Sequence, residues 1–126
     1  MNKIEQEAKQ FMEERYGRME MNEYQKVAVT TAIYPAQHKI LYPALGLAGE
    51  AGEVANKVKK LMRDGVDKMP DDWREQLASE IGDVLWYCAA LSEDLGYTLG
   101  RIARENESKL ANRKKKGTIH GSGDKR

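Results

Sequence analysis

Four carboxylates stand in two copies of one short pattern. Residues 49–54 read G-E-A-G-E-V and residues 79–84 read S-E-I-G-D-V, so that both contain Glu-x-Gly-acid-Val. Glu50 and Glu53, like Glu80 and Asp83, are three positions apart, which puts each pair on one face of a helix. Two helices packed side by side could gather all four acids around one point. Like charges held so close raise each other's proton affinity unless a cation sits among them. Oxygen donors without His or Cys suit a hard ion, Mg²⁺ or Mn²⁺, and not zinc. The competing reading is a solvated acidic face with partners one turn away, such as Glu53 with Lys57. Apolar flanks (Ala48, Ala51, Val54; Ile81, Val84, Leu85) put the acids at the edge of a buried stripe, and spacing alone leaves both readings open. Gly52 and Gly82 occupy matching mid-helix places, where Gly costs about 1 kcal/mol relative to Ala. A close approach to the backbone, most simply by a crossing helix, is expected there.

The elements that must position these acids are legible from periodicity. Residues 2–16 form a charged helix with a narrow apolar face of Ile4, Ala8, Phe11 and Met12. Asn22 is placed to N-cap a second helix that ends before Pro35, and 34–43 reads as a loop. A third helix is expected from about Ala44 to Asp64, with Leu47, Ala51, Val54, Val58, Leu61 and Met62 on one face and Gly65 beyond its end. Asp71 or Asp72 starts a fourth, carrying Leu77, Ile81, Val84, Leu85, Cys88, Leu91 and Leu95 and closed by Gly96. Thr98 caps a fifth, running from Leu99 to about Lys114. No stretch alternates as a strand would. The expectation is an all-α bundle of four to five helices: an N-terminal helical extension over 1–21, a domain over 22–117 and a flexible tail over 118–126.

Composition narrows the class. The 126 residues carry 21 Lys+Arg against 20 Asp+Glu, a formal net charge of +1, which argues against a general nucleic-acid binder. A charged fraction of 33% beside 40% hydrophobic residues suits a soluble helical fold. The single cysteine, Cys88, allows no internal disulfide and fits a reducing compartment. The start, MNKIEQEAKQFMEERYGRME, has no apolar run of the secretory kind, and Val84 to Leu91 is far below the roughly 20 residues that span a bilayer. A cytoplasmic protein without membrane partners is expected. Cys88 reads as a small packed residue, His38 as exposed, and Trp86 as core.

The runs GLAGEAGEVANKVKK and LASEIGDVLWY resemble the MazG-like nucleotide pyrophosphohydrolases of the all-α NTP pyrophosphatase superfamily, over about residues 22–117. The superfamily pattern is E-E-x-x-E, a variable spacer, then E-x-x-D. Here it becomes Gly49-Glu50-x-x-Glu53 and Glu80-x-x-Asp83, with Gly49 in place of the first Glu. The resemblance implies that the four remaining acids hold Mg²⁺, and that Glu53 or Glu50 orients or deprotonates the attacking water. The segment E-N-E-S-K-L is similar to the family's N-x-x-K-L, which implies that Asn106 and Lys109 face the phosphates. Arg113 shares their helix face, although a solvated basic helix end is the equal rival for it. Tyr87, one turn past Asp83, gains a sugar or phosphate role from the resemblance, against a rival as core aromatic. Lys57 pairs with Glu53 or touches a phosphate, and Gln25 resembles a position near the nucleotide.

The function implied is Mg²⁺-dependent hydrolysis of an NTP or dNTP to the monophosphate and pyrophosphate, with Mn²⁺ as substitute. The alternatives are a dedicated dUTPase or dCTP pyrophosphatase of the same superfamily, and a non-catalytic helical interaction module. Apolar residues beyond one stripe per helix (Leu45, Leu61, Trp86, Tyr87) and the habit of the relatives both point to a homo-oligomer, dimer or tetramer, formed through the core helices.

Overall fold

The computed structural model describes residues 2–17 and 19–126. Five helices follow one another: α1 (Lys3–Tyr16), α2 (Met21–Ala28), α3 (Leu41–Asp64), α4 (Trp73–Leu95) and α5 (Leu99–Lys116). No strand occurs among the described residues, and the fold is all-α as expected. Asn2 and Glu5 close a capping box on α1, yet every described residue of that helix is exposed. None of the described helices is long and apolar enough to cross a membrane.

Several boundaries differ from the sequence reading, each for a physical reason. Glu20, not Asn22, stands at the N-cap of α2; the Asn22 Oδ1 instead accepts the Gly100 amide at 2.8 Å and helps to satisfy the start of α5. Helix α2 tightens into a 3-10 turn at Val29–Thr31 and goes no further towards Pro35. Helix α3 starts at Leu41, three residues early, because Pro43 falls in the first turn, where its missing N–H has no helical partner to lose. The entry to α3 is fixed by Ile40, whose φ of 69° is unusual for a β-branched residue. The Ile40 amide donates to Asp94 Oδ2 at 2.9 Å, and the same oxygen accepts from the Tyr34 hydroxyl at 2.8 Å. Asp94 thereby pins the 34–40 connection to α4. The Thr98 side chain caps α5 as expected, accepting from the Arg101 amide at 3.1 Å.

Helices α3 and α4 pack as an antiparallel hairpin: Gly46 lies by Tyr87, and further along Lys57 meets Glu80. The core where α2, α4 and α5 meet is small. Ala28, Ala89 and Leu99 are buried there, with Tyr24, Trp86 and Cys88 packed against them. Trp86 is core, as its spacing suggests, and its Nε1 donates to the Ala28 carbonyl at 3.1 Å and Thr31 Oγ1 at 2.8 Å. Much of the expected apolar stripe is not covered by this chain. Met62 is 81% exposed and Ile81 56%, and Leu45 beside the stripe 66%, because one face of the hairpin has no helix among the described residues against it.

Candidate functional site

The antiparallel register of α3 and α4 decides which acids meet. Glu50, Glu80 and Asp83 each place a carboxylate oxygen so that all three lie within 4.8 Å of one another. Glu50 and Glu80 are half-buried and Asp83 is exposed. Glu53 is exposed and outside this tight group, although its charge still acts on Glu50. The Glu50 carboxyl is held above its ordinary value of 4.5. Burial contributes most, followed by the negative charges of Asp83, Glu80 and Glu53 and a hydrogen bond shared with Glu80. Such a cluster holds more negative charge than the one nearby ammonium, Lys57, offsets, and its donors are all oxygen, so it fits a hard divalent cation.

The surrounding residues are arranged unevenly. Lys57 Nζ is 3.6 Å from Glu80 Oε1, so its partner is on the facing helix and not Glu53 on its own. Tyr87 lies beside the acids, and its hydroxyl is pushed up by burial, by Tyr42 and by the charge of Glu50. Its ring packs edge-on against Trp86 at 4.9 Å and lies directly over Gly46, where any side chain would strike it. Tyr42, 6.5 Å from Tyr87 and stacked on Tyr34 at 4.8 Å, extends the aromatic wall. Gly46, Tyr42 and Asp94 were not singled out in the sequence; a glycine and scattered aromatics with no shared period give no local signal. Gly52 and Gly82, where a close approach was expected, have no atom of another element within 4 Å of a would-be Cβ. Within this chain the close approach occurs at Gly46 instead.

Two of the three α5 candidates are engaged elsewhere. Asn106 is exposed. Lys109 Nζ is 3.4 Å from Asp124 Oδ1, and Arg113 Nη2 donates to the Asp124 carbonyl at 2.9 Å and to its Oδ1 at 3.3 Å. Arg113 is buried, not the solvated end that its rival reading described, and its Nε has no partner among the described residues. Residues 118–126 turn back on themselves through Arg126, which donates to the Thr118 carbonyl at 2.9 Å and the Ile119 carbonyl at 3.0 Å. Gln25 is buried and its amide is committed: Nε2 donates to Glu93 Oε2 and the Tyr97 carbonyl, and Oε1 accepts the Leu99 amide at 2.7 Å. Burial pushes the Cys88 thiol up, the opposite of a nucleophile's need.

Comparison with known proteins shows the family. Residues 38–118 match the model of the MazG nucleotide pyrophosphohydrolase domain, a span that contains the four acids and the α5 cations but not Gln25. The chain is 43% identical over 114 residues to the Gene 37 protein of Mycobacterium phage L5, covering 86% of this chain and 100% of the phage protein. No solved structure gives a significant match.

Proposed function

Because the chain belongs to the MazG nucleotide pyrophosphohydrolase family, we propose that it is a Mg²⁺-dependent nucleoside triphosphate pyrophosphohydrolase, releasing pyrophosphate from an NTP or dNTP and leaving the monophosphate. The observation that carries this reading is the convergence of Glu50, Glu80 and Asp83 within 4.8 Å. These three, joined by Glu53, would hold Mg²⁺, or Mn²⁺ in its place. Such an ion supplies Lewis-acid neutralisation of the phosphoryl oxygens.

The chain's own residues do the rest. Glu53, exposed at the edge of the cluster, or Glu50 within it, accepts the proton of the attacking water. Lys57 exchanges its contact with Glu80 for a phosphate oxygen, and Tyr87 offers its hydroxyl to sugar or phosphate. Asn106, Lys109 and Arg113 stabilise charge on the departing pyrophosphate; in this reading Asp124 holds the two cations until an anion replaces it. Gln25 acts indirectly, fixing the start of α5 through the Leu99 amide.

The uncovered apolar face of α3 and α4 supports a homo-oligomer, a dimer or tetramer, in which a second copy borders the pocket. Light scattering at micromolar concentration tests this; a mass near the 14.3 kDa of one chain would overturn it. A role in the cytoplasmic nucleotide pool is the setting we assign. The function is tested by a panel of NTPs and dNTPs assayed for pyrophosphate with Mg²⁺ and with EDTA. Release with Mg²⁺ and none with EDTA is expected. Cleavage confined to dUTP or dCTP would identify a dedicated enzyme, and no release from any nucleotide would leave a helical interaction module.

A further inference from the structure

At the connected end of the α3–α4 hairpin, where α3, the connection after it and the start of α4 meet, lies a cleft of about 250 Å³. That is close to the lower end of ligand pockets, about 300 Å³. Its lining is two-sided in character. Met69, Trp73 and Leu77 supply apolar surface, and Lys57, Lys60 and Lys68 supply three ammonium groups. The one acid in the lining, Asp64, is already taken by a two-point contact with Arg63, at 2.7 and 2.8 Å. Lys60 and Lys68 form no ion pair among the described residues. An apolar surface flanked by ammonium groups, of which Lys60 and Lys68 are in no close ion pair among the described residues, suits an anion with a flat organic face.

The cleft is also joined to the acids. Lys57 lines it and at the same time reaches Glu80 at 3.6 Å. Along α3, Lys57 is roughly 10 Å from Glu50 at about 1.5 Å per residue, a distance that a polyphosphate chain can bridge. Gln76 adds a polar group to the lining; its Nε2 donates to Asp72 Oδ1 at 2.9 Å.

We infer that this cleft holds the base and sugar of the nucleotide whose phosphates meet the carboxylates, with Trp73 as the principal contact and Lys57 at the junction. The inference rests on the pyrophosphohydrolase reading and adds to it where selectivity among nucleotides is set.

The test is steady-state kinetics of the full chain, wild type against Trp73→Ala, Lys60→Glu and Lys68→Glu, on whichever nucleotide the wild type cleaves. Circular dichroism checks folding. Trp73→Ala is expected to raise KM about tenfold, the loss typical of one base–aromatic contact, with a smaller change in kcat. Each lysine reversal raises KM by a lesser factor. Should Trp73→Ala fail to fold, the two lysine variants decide. Wild-type turnover with unchanged KM in every folded variant overturns the cleft and leaves the pyrophosphohydrolase reading standing. No wild-type turnover on any nucleotide overturns that reading, and the inference with it. Unchanged KM with a lower mass in light scattering would identify the cleft as a contact between copies and also overturn the inference.

Discussion

On the α3–α4 hairpin, three carboxylates are held within 4.8 Å of one another, and the Lys57 ammonium reaches only Glu80 among them. On α5 the situation is reversed: Lys109 and Arg113 share the carboxylate of Asp124, which the tail folds back to them. The first charge cluster is imposed by packed helices and remains short of positive charge. The second is neutralised by a neighbouring segment of the same chain. The difference separates a cluster with negative charge left over from a pair of cations that already has a partner. In the reaction we propose, the hairpin would be the preorganised half of the site, and α5 the half that changes partner.

The largest expected effect is on the hairpin. Glu50→Gln and Asp83→Asn should each lower Mg²⁺-dependent pyrophosphate release by about 100-fold or more, with helicity unchanged, since removing mutually repelling charges does not unfold the hairpin. Full activity in both variants would end the contrast, because the two clusters would then be equally inert.

How far this was legible in the sequence follows from the same contrast. The acids were readable because their repeated spacing lies on two long periodic helices joined by a short connection, which leaves an antiparallel hairpin as the natural packing. The register was not readable, and with it the fact that Glu53 falls outside the tight group and Lys57 meets Glu80. That depends on Tyr87 seating over Gly46, a contact between residues far apart in the chain. On α5, spacing showed that Asn106, Lys109 and Arg113 share a face, but a tail without periodicity gave no hint that Asp124 would meet two of them. The early start of α3 was missed for a similar reason: a first-turn Pro43 looks like loop until Asp94 is seen holding Ile40.

A smaller effect is expected on α5. Lys109→Ala should reduce turnover of triphosphates about tenfold, the worth of one hydrogen bond to a charged group, while the melting temperature hardly moves. Parental turnover would make Lys109 part of a solvated face and confine the site to the hairpin.

Two glycines sharpen the hairpin itself. Gly46→Ala drives a methyl into the Tyr87 ring and should destabilise by about 1–3 kcal/mol in denaturant unfolding. Gly49→Ala meets no atom within 4 Å and should stabilise by up to about 1 kcal/mol through helix propensity. Equal effects would mean that Tyr87 does not set the register.

The smallest effect concerns the tail. Lys109 and then Arg113 hold the exposed Asp124 carboxyl below its ordinary value of 3.8. A depressed carboxyl keeps its contact at neutral pH and above, and the contact is lost as pH falls through the lowered value. Carboxyl NMR of Asp124 should therefore titrate below 3.8 in the parent chain and move upward in Lys109→Ala. Identical titration in both would remove the ion pair.

The most direct measurement is of the cation. Mn²⁺, followed by electron paramagnetic resonance, should bind the wild-type chain and be released from Asp83→Asn under the same conditions, because the carboxylates of α3 and α4 hold it jointly. Equal binding by both proteins, or no binding by either in the presence of nucleotide, would contradict a metal centre on this hairpin.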